Sequence, residues 1–489
     1  MSRQPNLLLI ILDSARARNM SLYDYEKNTT PFLNEFTERA TVYTQARSPS
    51  IHSIASHISM FTGQHVEQHR ATNHTVQIDP DSTVWAELQS KYDYDTGLFT
   101  NNRVISSASN LNDCFEYSHS PTYHIVKQPN SPRCENGYDP ISADENGIVN
   151  HIVSCINHNH PIRSLTNYGE IAARSAARTA EQILRNAESD YMTTHGESFS
   201  SAFLSWSAKQ LEPWAACLNL MDTHYPFEPE PTHNRWATEE DWNAQAEEQP
   251  STRELLRGNN WGHLKNLEPL YDGSIHQADQ IVENLISELE NRGQLDDTLV
   301  IITSDHGEAF GERSQVDPSV RLKGHSWGIH EVQTHVPLVI KFPEQHQGRV
   351  VDEVVSLTDL PLLFQSAVQG TIDDTVLVSD GPVLASTFRL LEEDAAKYGE
   401  IDGIERFTGP WRTMYESCDD GVKKTAVKGD CHFTGIIPDT QKVHSVSREA
   451  NSRVLDEFAR ISDSDIVTEE STEIEEDVED HLEDLGYIR

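Results

Sequence analysis

Four short apolar runs, each giving way to polar residues, constrain this chain more than any other feature. Asn6–Leu12 is apolar almost throughout and is followed by Asp13. Thr96–Thr100 precedes Asn101 and Asn102, Ala216–Met221 precedes Asp222, Thr223 and His224, and Thr298–Thr303 precedes Ser304, Asp305 and His306. Continuous apolar runs of this length fit strands buried on both faces, as in a parallel sheet. Helical patterns separate them. In the clearest, Tyr271–Asn291, the residues Ile275, Ala278, Ile281, Val282, Leu285, Ile286 and Leu289 recur at helical spacing, and Gly293 follows as a stop. The alternation predicts an α/β fold: a large, mostly parallel sheet flanked by helices. Such sheets bind ligands outside the carboxyl ends of their strands, so four distant segments point at one site.

This pattern occupies residues 1–370. Within it, residues 126–201 are irregular and rich in His, Asn and Ser, and are expected to form an insertion, a lid over the site. His151, His158 and His160 match no ligand spacing and read as solvated loop residues. Residues 371–450 are expected to form a smaller C-terminal subdomain. Residues 451–489 read as an acidic, largely disordered tail, since Asp463–Asp484 holds 12 acidic residues and few apolar ones.

Charge excludes several partners. The chain has 78 Asp and Glu against 38 Lys and Arg, a net charge of −40, so nucleic acid and anionic membranes would be repelled. No apolar run approaches the roughly 20 residues a membrane span needs. The protein is expected to be cytoplasmic, its six scattered cysteines ordinary thiols.

Several segments, in order, resemble the sulfatase family of the alkaline phosphatase superfamily. Pro5–Asp13 resembles the opening strand and metal-binding Asp, and Thr30-Pro-Phe-Leu33 the Thr-Pro-x-Leu that follows. Ser53-Ile-Ala-Ser-His57, running on to Thr62-Gly63, resembles the nucleophile signature. Met221–Phe227 resembles Met-Asp-x-His-x-Pro-Tyr, Leu295–Glu308 the second metal segment, and His335–Ile340 the Arg-Val-Pro-Leu-Ile-Ile strand. The scarcity of lysine, 12 residues, beside so many acids resembles the composition of salt-in halophilic archaea, whose high salt screens such a surface.

The resemblance implies a hydrolase of sulfate esters on small molecules or glycans. One divalent metal, Ca, Mg, Mn or Zn, would be held by Asp13, Ser53, Asp305 and His306. An ester of this kind carries negative charge on its non-bridging oxygens, which a divalent cation neutralises while helping a hydroxyl ionise. Ser53 is the candidate nucleophile, before a predicted helix over 54–61, with His224 as the acid for the leaving group. Lys323, His325 and Asn102 are the candidates for binding the transferring oxygens. Two departures from the pattern keep a second activity open. Ser14 stands where many relatives have a second Asp. His57, which joins the candidate catalytic set, stands where the motif for oxidation to formylglycine has Arg, and so argues against that modification. An unmodified serine suits phosphate or phosphonate esters, or phosphoryl transfer, better than sulfate. No role is assigned to His330 and Glu331.

Overall fold

The computed structural model describes residues 4–106, 108–119, 196–211, 213–246, 250–391, 398, 401–438 and 444–470. Its strands are β1 (Asn6–Leu12), β2 (Thr41–Arg47), β3 (Val76–Ile78), β4 (Asp95–Thr100), β5 (Tyr117–His119), β6 (Trp214–Leu220), β7 (Thr298–Thr303), β8 (Phe310–Arg313), β9 (Arg321–Lys323), β10 (Leu338–Lys341), β11 (Arg349–Ser356), β12 (Val383–Thr387), β13 (Trp411–Cys418), β14 (Gly421–Lys428), β15 (Cys431–Ile437), β16 (His444–Ser447) and β17 (Val467–Glu470). The main sheet has eight strands in the order β11-β2-β10-β7-β1-β6-β4-β5. The four strands expected from apolar runs are its neighbouring parallel centre, β7-β1-β6-β4.

β1 explains why such a run is apolar at nearly every position. Leu7, Leu9 and Ile11 enter the core on one face of the sheet, and Leu8, Ile10 and Leu12 the core on the other. The helix Glu268–Asn291 lies on the second face and buries all seven residues picked out by periodicity. Each large aliphatic side chain so buried contributes about 1.5–3 kcal/mol. Gly293, at φ 67, ends it as expected.

β10 runs antiparallel to both its neighbours. The reason is topological. The chain leaves the carboxyl end of β7 and stays at that edge, where Gly307 N donates to Gln333 O at 2.8 Å, before re-entering the sheet at Leu338. A strand entered from that edge must run the other way, and the whole excursion from Ser304 to Pro337 begins and ends beside the carboxyl ends of the central strands.

A separate antiparallel sheet, β12-β13-β14-β15-β16, follows. The stretch expected to be a disordered tail contains, within the described residues, the helix Arg453–Phe458 and β17, which pairs with β3. Ile466 is buried there and its carbonyl accepts from Asp79 N, so one apolar side chain and a backbone ladder hold an otherwise acidic segment. Of the expected lid over 126–201, residues 126–195 lie outside the described residues, as do residues 471–489; residues 196–201 begin the helix Gly196–Ser207.

Asp279, on the long helix, accepts from the amides of Phe32 and Leu33 at 2.8 and 3.0 Å, and so caps the helix Pro31–Phe36 from outside. Burial pushes its carboxyl up to about 7. A carboxyl raised on folding binds its proton in the folded state first, so its stabilising contribution is present below pH 3.8 and is lost as pH rises through about 7. Urea titrations of the wild type and Asp279→Asn should therefore converge at low pH and separate as pH climbs through that window, the wild type losing more stability. Parallel pH profiles would contradict the assignment.

Candidate functional site

The parallel centre of the sheet brings four strand ends to one edge. Asp13 follows β1, Asn102 lies two residues past β4, Asp222–His224 follow β6, and Asp305 and His306 follow β7. The chain turns at once after β1: Ser14 takes a φ of 64, and its amide donates to Asp305 Oδ1 at 3.1 Å. This ties the two strand ends together and puts their carboxylates face to face.

Asp13, Asp305 and His306 are fully buried, with one ligand atom from each lying within 4.8 Å of the others. The arrangement fits a divalent cation in three ways. Two buried carboxylates repel unless a positive charge sits between them, and burial, with Asp305 next, pushes the Asp13 carboxyl above its usual range. Asp305 Oδ2 is buried without a hydrogen bond. His306 Nδ1 lies 3.0 Å from the Gly307 carbonyl, which can only accept. Nδ1 therefore carries a hydrogen, and Nε2, 3.4 Å from Asp305 Oδ2, is the ring nitrogen left to ligate. Outer groups aim the ligands: Asn102 Nδ2 and Asn219 Nδ2 donate to Asp13 Oδ2 at 2.8 and 3.0 Å, and Thr223 Oγ1 donates to Asp13 O.

Ser53 opens the helix Ser53–Thr62, with its Oγ 3.2 Å from His306 Nε2. His57, one turn on, donates from Nδ1 to Ser53 O at 2.8 Å and lies 3.7 Å from Asp305 Oδ2. His224 is buried with Nδ1 against Tyr225 O at 2.7 Å; burial lowers its pKa, and the Asp13 carboxylate acts in the other direction. Its ring lies 5.4 Å from that of His325, which is 4.5 Å from that of His306. His325 Nδ1 meets Glu308 Oε2 at 3.0 Å. Burial pushes Glu308 up to about 8 and His325 well below its ordinary value, so this contact is a neutral hydrogen bond rather than an ion pair. Lys323 Nζ donates to Thr252 Oγ1 at 3.3 Å, and its charge holds Glu308 down.

Asp13, Ser53, His57, Asn102, His224, Asp305, His306 and His325 thus gather at one place, with Lys323 beside Glu308. Asn102 sits against Asp13 rather than apart from it. The sequence analysis missed Asn219, Glu308, His52 and Arg389. Asn219 had a signal, a lone amide inside the apolar run of β6. Arg389 had none: it arrives from beyond β12, donates from Nη1 to His74 Nε2 at 2.8 Å, and His74 packs edge-on against His52, the neighbour of Ser53.

Gly307 holds the geometry by having no side chain. A Cβ there would collide with Val332 O and come within 2.9 Å of Arg16 Cβ. Gly307→Ala should destabilise the fold by about 1–3 kcal/mol or more, read as a lower urea midpoint. An unchanged midpoint would mean that the Val332 strap yields freely.

The family model described as Sulfatase matches residues 5–363. Arylsulfatase K of Gallus gallus is 23% identical over 373 residues, covering 73% of this chain and 62% of its own length. The chain thus spans less than two thirds of that curated relative. Among solved structures, the phosphonate monoester hydrolase of Agrobacterium radiobacter is similar at a TM-score of 0.53, with 16% identity and 93% of each chain covered. A 2-O GAG sulfatase is similar at 0.54, with 13% identity, covering 99% of this chain and 93% of that one. At such identities these structures speak for the fold alone, an alkaline phosphatase-like mixed sheet with a separate small sheet. Because the family match runs from the first strand through Asp13, Ser53 and Asp305 to residue 363, the chain belongs to the sulfatase family.

Proposed function

We propose that the protein is a metal-dependent hydrolase of sulfate esters in which Ser53 supplies the nucleophile. The observation that carries this is the placement of Ser53 Oγ 3.2 Å from His306 Nε2, beside the buried pair Asp13 and Asp305. Asp13, Asp305, His306 and Ser53 would hold one divalent cation, Ca, Mg, Mn or Zn, oxygen-rich but with one imidazole. A cation bound there supplies Lewis-acid withdrawal from the ester oxygens and lowers the pKa of a neighbouring hydroxyl. Ser53 sits at a helix N-terminus, where the macrodipole and free amides favour negative charge on Oγ. His224 is fixed by Nδ1–H donating to Tyr225 O, so its Nε2 carries a proton for the leaving oxygen as the imidazolium, the form that the Asp13 carboxylate favours. Lys323 takes the charge on the transferring group, His325 beside it offers a neutral hydrogen bond, and Asn102 orients Asp13. Asp13, Ser53, Asn102, His224, Asp305 and His306 are buried, with Lys323 and His325 half-buried beside them, which limits water and strengthens these interactions.

Two residues favour a second reading, hydrolysis of phosphate or phosphonate esters by unmodified Ser53. Ser14 withholds a carboxylate from the shell, and its hydroxyl instead donates to Asp13 Oδ1. His57 occupies the place of the motif's Arg. Residues 1–370 would form the catalytic unit and 371–450 a subdomain beside it. The surplus of acid supports a salt-adapted protein of the cytoplasm, and no helix of the described residues is long and apolar enough to cross a membrane.

The deciding experiment joins peptide mass spectrometry at Ser53 with a panel of 4-nitrophenyl sulfate, phosphate and phenylphosphonate. A loss of about 2 Da, a hydroxyl oxidised to an aldehyde, should accompany sulfate turnover. Unmodified Ser53 with faster phosphate or phosphonate turnover selects the second reading. No turnover of any ester by metal-loaded protein rejects both.

A further inference from the structure

Beside the site lies a cavity of about 550 Å³, walled by the helix Thr252–Leu256, β8, β9 and residues 401–407. Arg257, Arg313, Arg321 and Arg406 line it, with Trp261 on one wall. Asp402 is the one carboxylate on its lining among the described residues. In a chain of net charge −40 this is a reversal of sign.

The partners of these arginines sharpen the point. Arg16, Arg39, Arg292 and Arg412 each pair with a carboxylate, the usual fate of a guanidinium on so acidic a surface. Among the described residues, none of the four cavity arginines does. Arg313, Arg321 and Arg406 donate to the carbonyls of Pro318, Gly311 and Gly403 at 2.8, 3.0 and 2.9 Å. Backbone carbonyls fix where a guanidinium points and leave its charge unneutralised. Like charges converging on a concave space repel one another, and the concavity focuses their field. The guanidinium fork matches sulfate and phosphate oxygens in pairs.

Two links run from the cavity wall to Lys323 of the candidate site. Arg321 and Lys323 are alternate residues of β9, so they share a face about 6.6 Å apart, and Leu322 between them points into the core. Lys323 Nζ hydrogen-bonds Thr252, on the helix whose Leu255 and Leu256 line the cavity.

We propose that this cavity is a second anion site, which holds a sulfate or phosphate group carried elsewhere on the ligand whose ester enters the Asp13–Asp305 centre. The inference rests on the hydrolase reading above and narrows its substrate to a polyanion with at least two such groups. Trp261 offers a flat wall to a ring between them.

The test uses the full chain and a fluorescently labelled heparin tetrasaccharide as the probe. Anisotropy should report binding to the wild type that weakens about tenfold or more in the double variant R257Q/R406Q, the loss of two charge-assisted contacts. The R257K/R406K variant, which keeps the charge, should retain most of it and controls for folding. The unlabelled tetrasaccharide should also compete with turnover of whichever 4-nitrophenyl ester is accepted. Its inhibition constant should rise by the same factor in R257Q/R406Q, while kcat and KM for the small ester stay unchanged. Equal binding by the wild type and the glutamine variant overturns the site. Arginine-dependent binding that inorganic sulfate displaces, but that never inhibits turnover, marks a separate effector site and overturns the link to substrate. Protein inert toward every ester fails the hydrolase reading, and the anisotropy titration still decides whether the cavity binds anions.

Discussion

Ser53→Ala should lower ester turnover by on the order of 10⁴-fold or more, the scale seen when a nucleophile is removed from a site whose members act as a unit. The side chain lost is one oxygen, fully buried at the start of the helix Ser53–Thr62, so the fold has little reason to change. The helix N-terminus, Lys323, His325 and His224 all remain, and ground-state binding of the ester should persist. The expected signature is thus a collapse of kcat with KM changed far less, one that persists at metal concentrations high enough to fill the site through its three remaining ligands, Asp13, Asp305 and His306. Steady-state kinetics with metal analysis of the same sample checks both. Activity within tenfold of the wild type would remove Ser53 from the reaction and leave it a buried polar residue in the first turn of its helix.

Asp305→Asn should weaken metal binding far more than it weakens the metal-free fold. In the wild type two buried carboxylates face each other, and burial with the Asp305 charge already pushes Asp13 up. Removing the Asp305 charge relieves that push, but it also gives up the attraction of His306 and His57 and part of the hold of the Ser14 amide, which against burial keep the Asp305 carboxyl below its usual range. In chelator the variant should therefore be modestly less stable than the wild type. With metal present the gap should widen. A ligand at a hundredfold excess over its Kd stabilises by about 2.7 kcal/mol, and the variant forfeits most of this. Outer-sphere mutations at metal sites cost about 10–100-fold in affinity, and loss of a direct ligand should exceed that. Asparagine keeps the oxygen that accepts from Ser14 N, so the turn after β1 is preserved and the comparison tests charge rather than shape. Melting curves with and without added metal, beside metal content after dialysis, give the answer. Unchanged metal content, with a stability gap that is the same with and without metal, would show that Asp305 is structural.

Much of this arrangement was legible from residue order. The runs around Leu7–Leu12, Leu98, Leu218 and Val300 are apolar at nearly every position because both faces of each strand are covered, and that demand is local enough to read. The periodicity of Ile275–Leu289 reports the single covered face of a helix in the same way. Residues placed just past such strands must share one edge if the strands are parallel neighbours, so Asp13, His224, Asp305 and His306 could be grouped before any coordinate was known. Other features depend on which strand meets which. The reversed direction of β10 follows from where the chain lies when it leaves Thr303, and nothing in Leu338–Lys341 encodes it. Pairing of β17 with β3 joins residues nearly 400 positions apart, and an acidic composition conceals it. Asn219 shows its role only when β6 lies beside β1, and Arg389 only when the chain beyond β12 reaches His74. The cavity arginines, spread from Arg257 to Arg406, look like four of many surface charges until the fold gathers them around one cavity. Sequence by itself determined which segments must be buried and which polar residues end them, because burial acts on each residue in turn. Only the tertiary structure decided which charges face one another, because a Coulomb interaction depends on distance in space and is indifferent to distance along the chain.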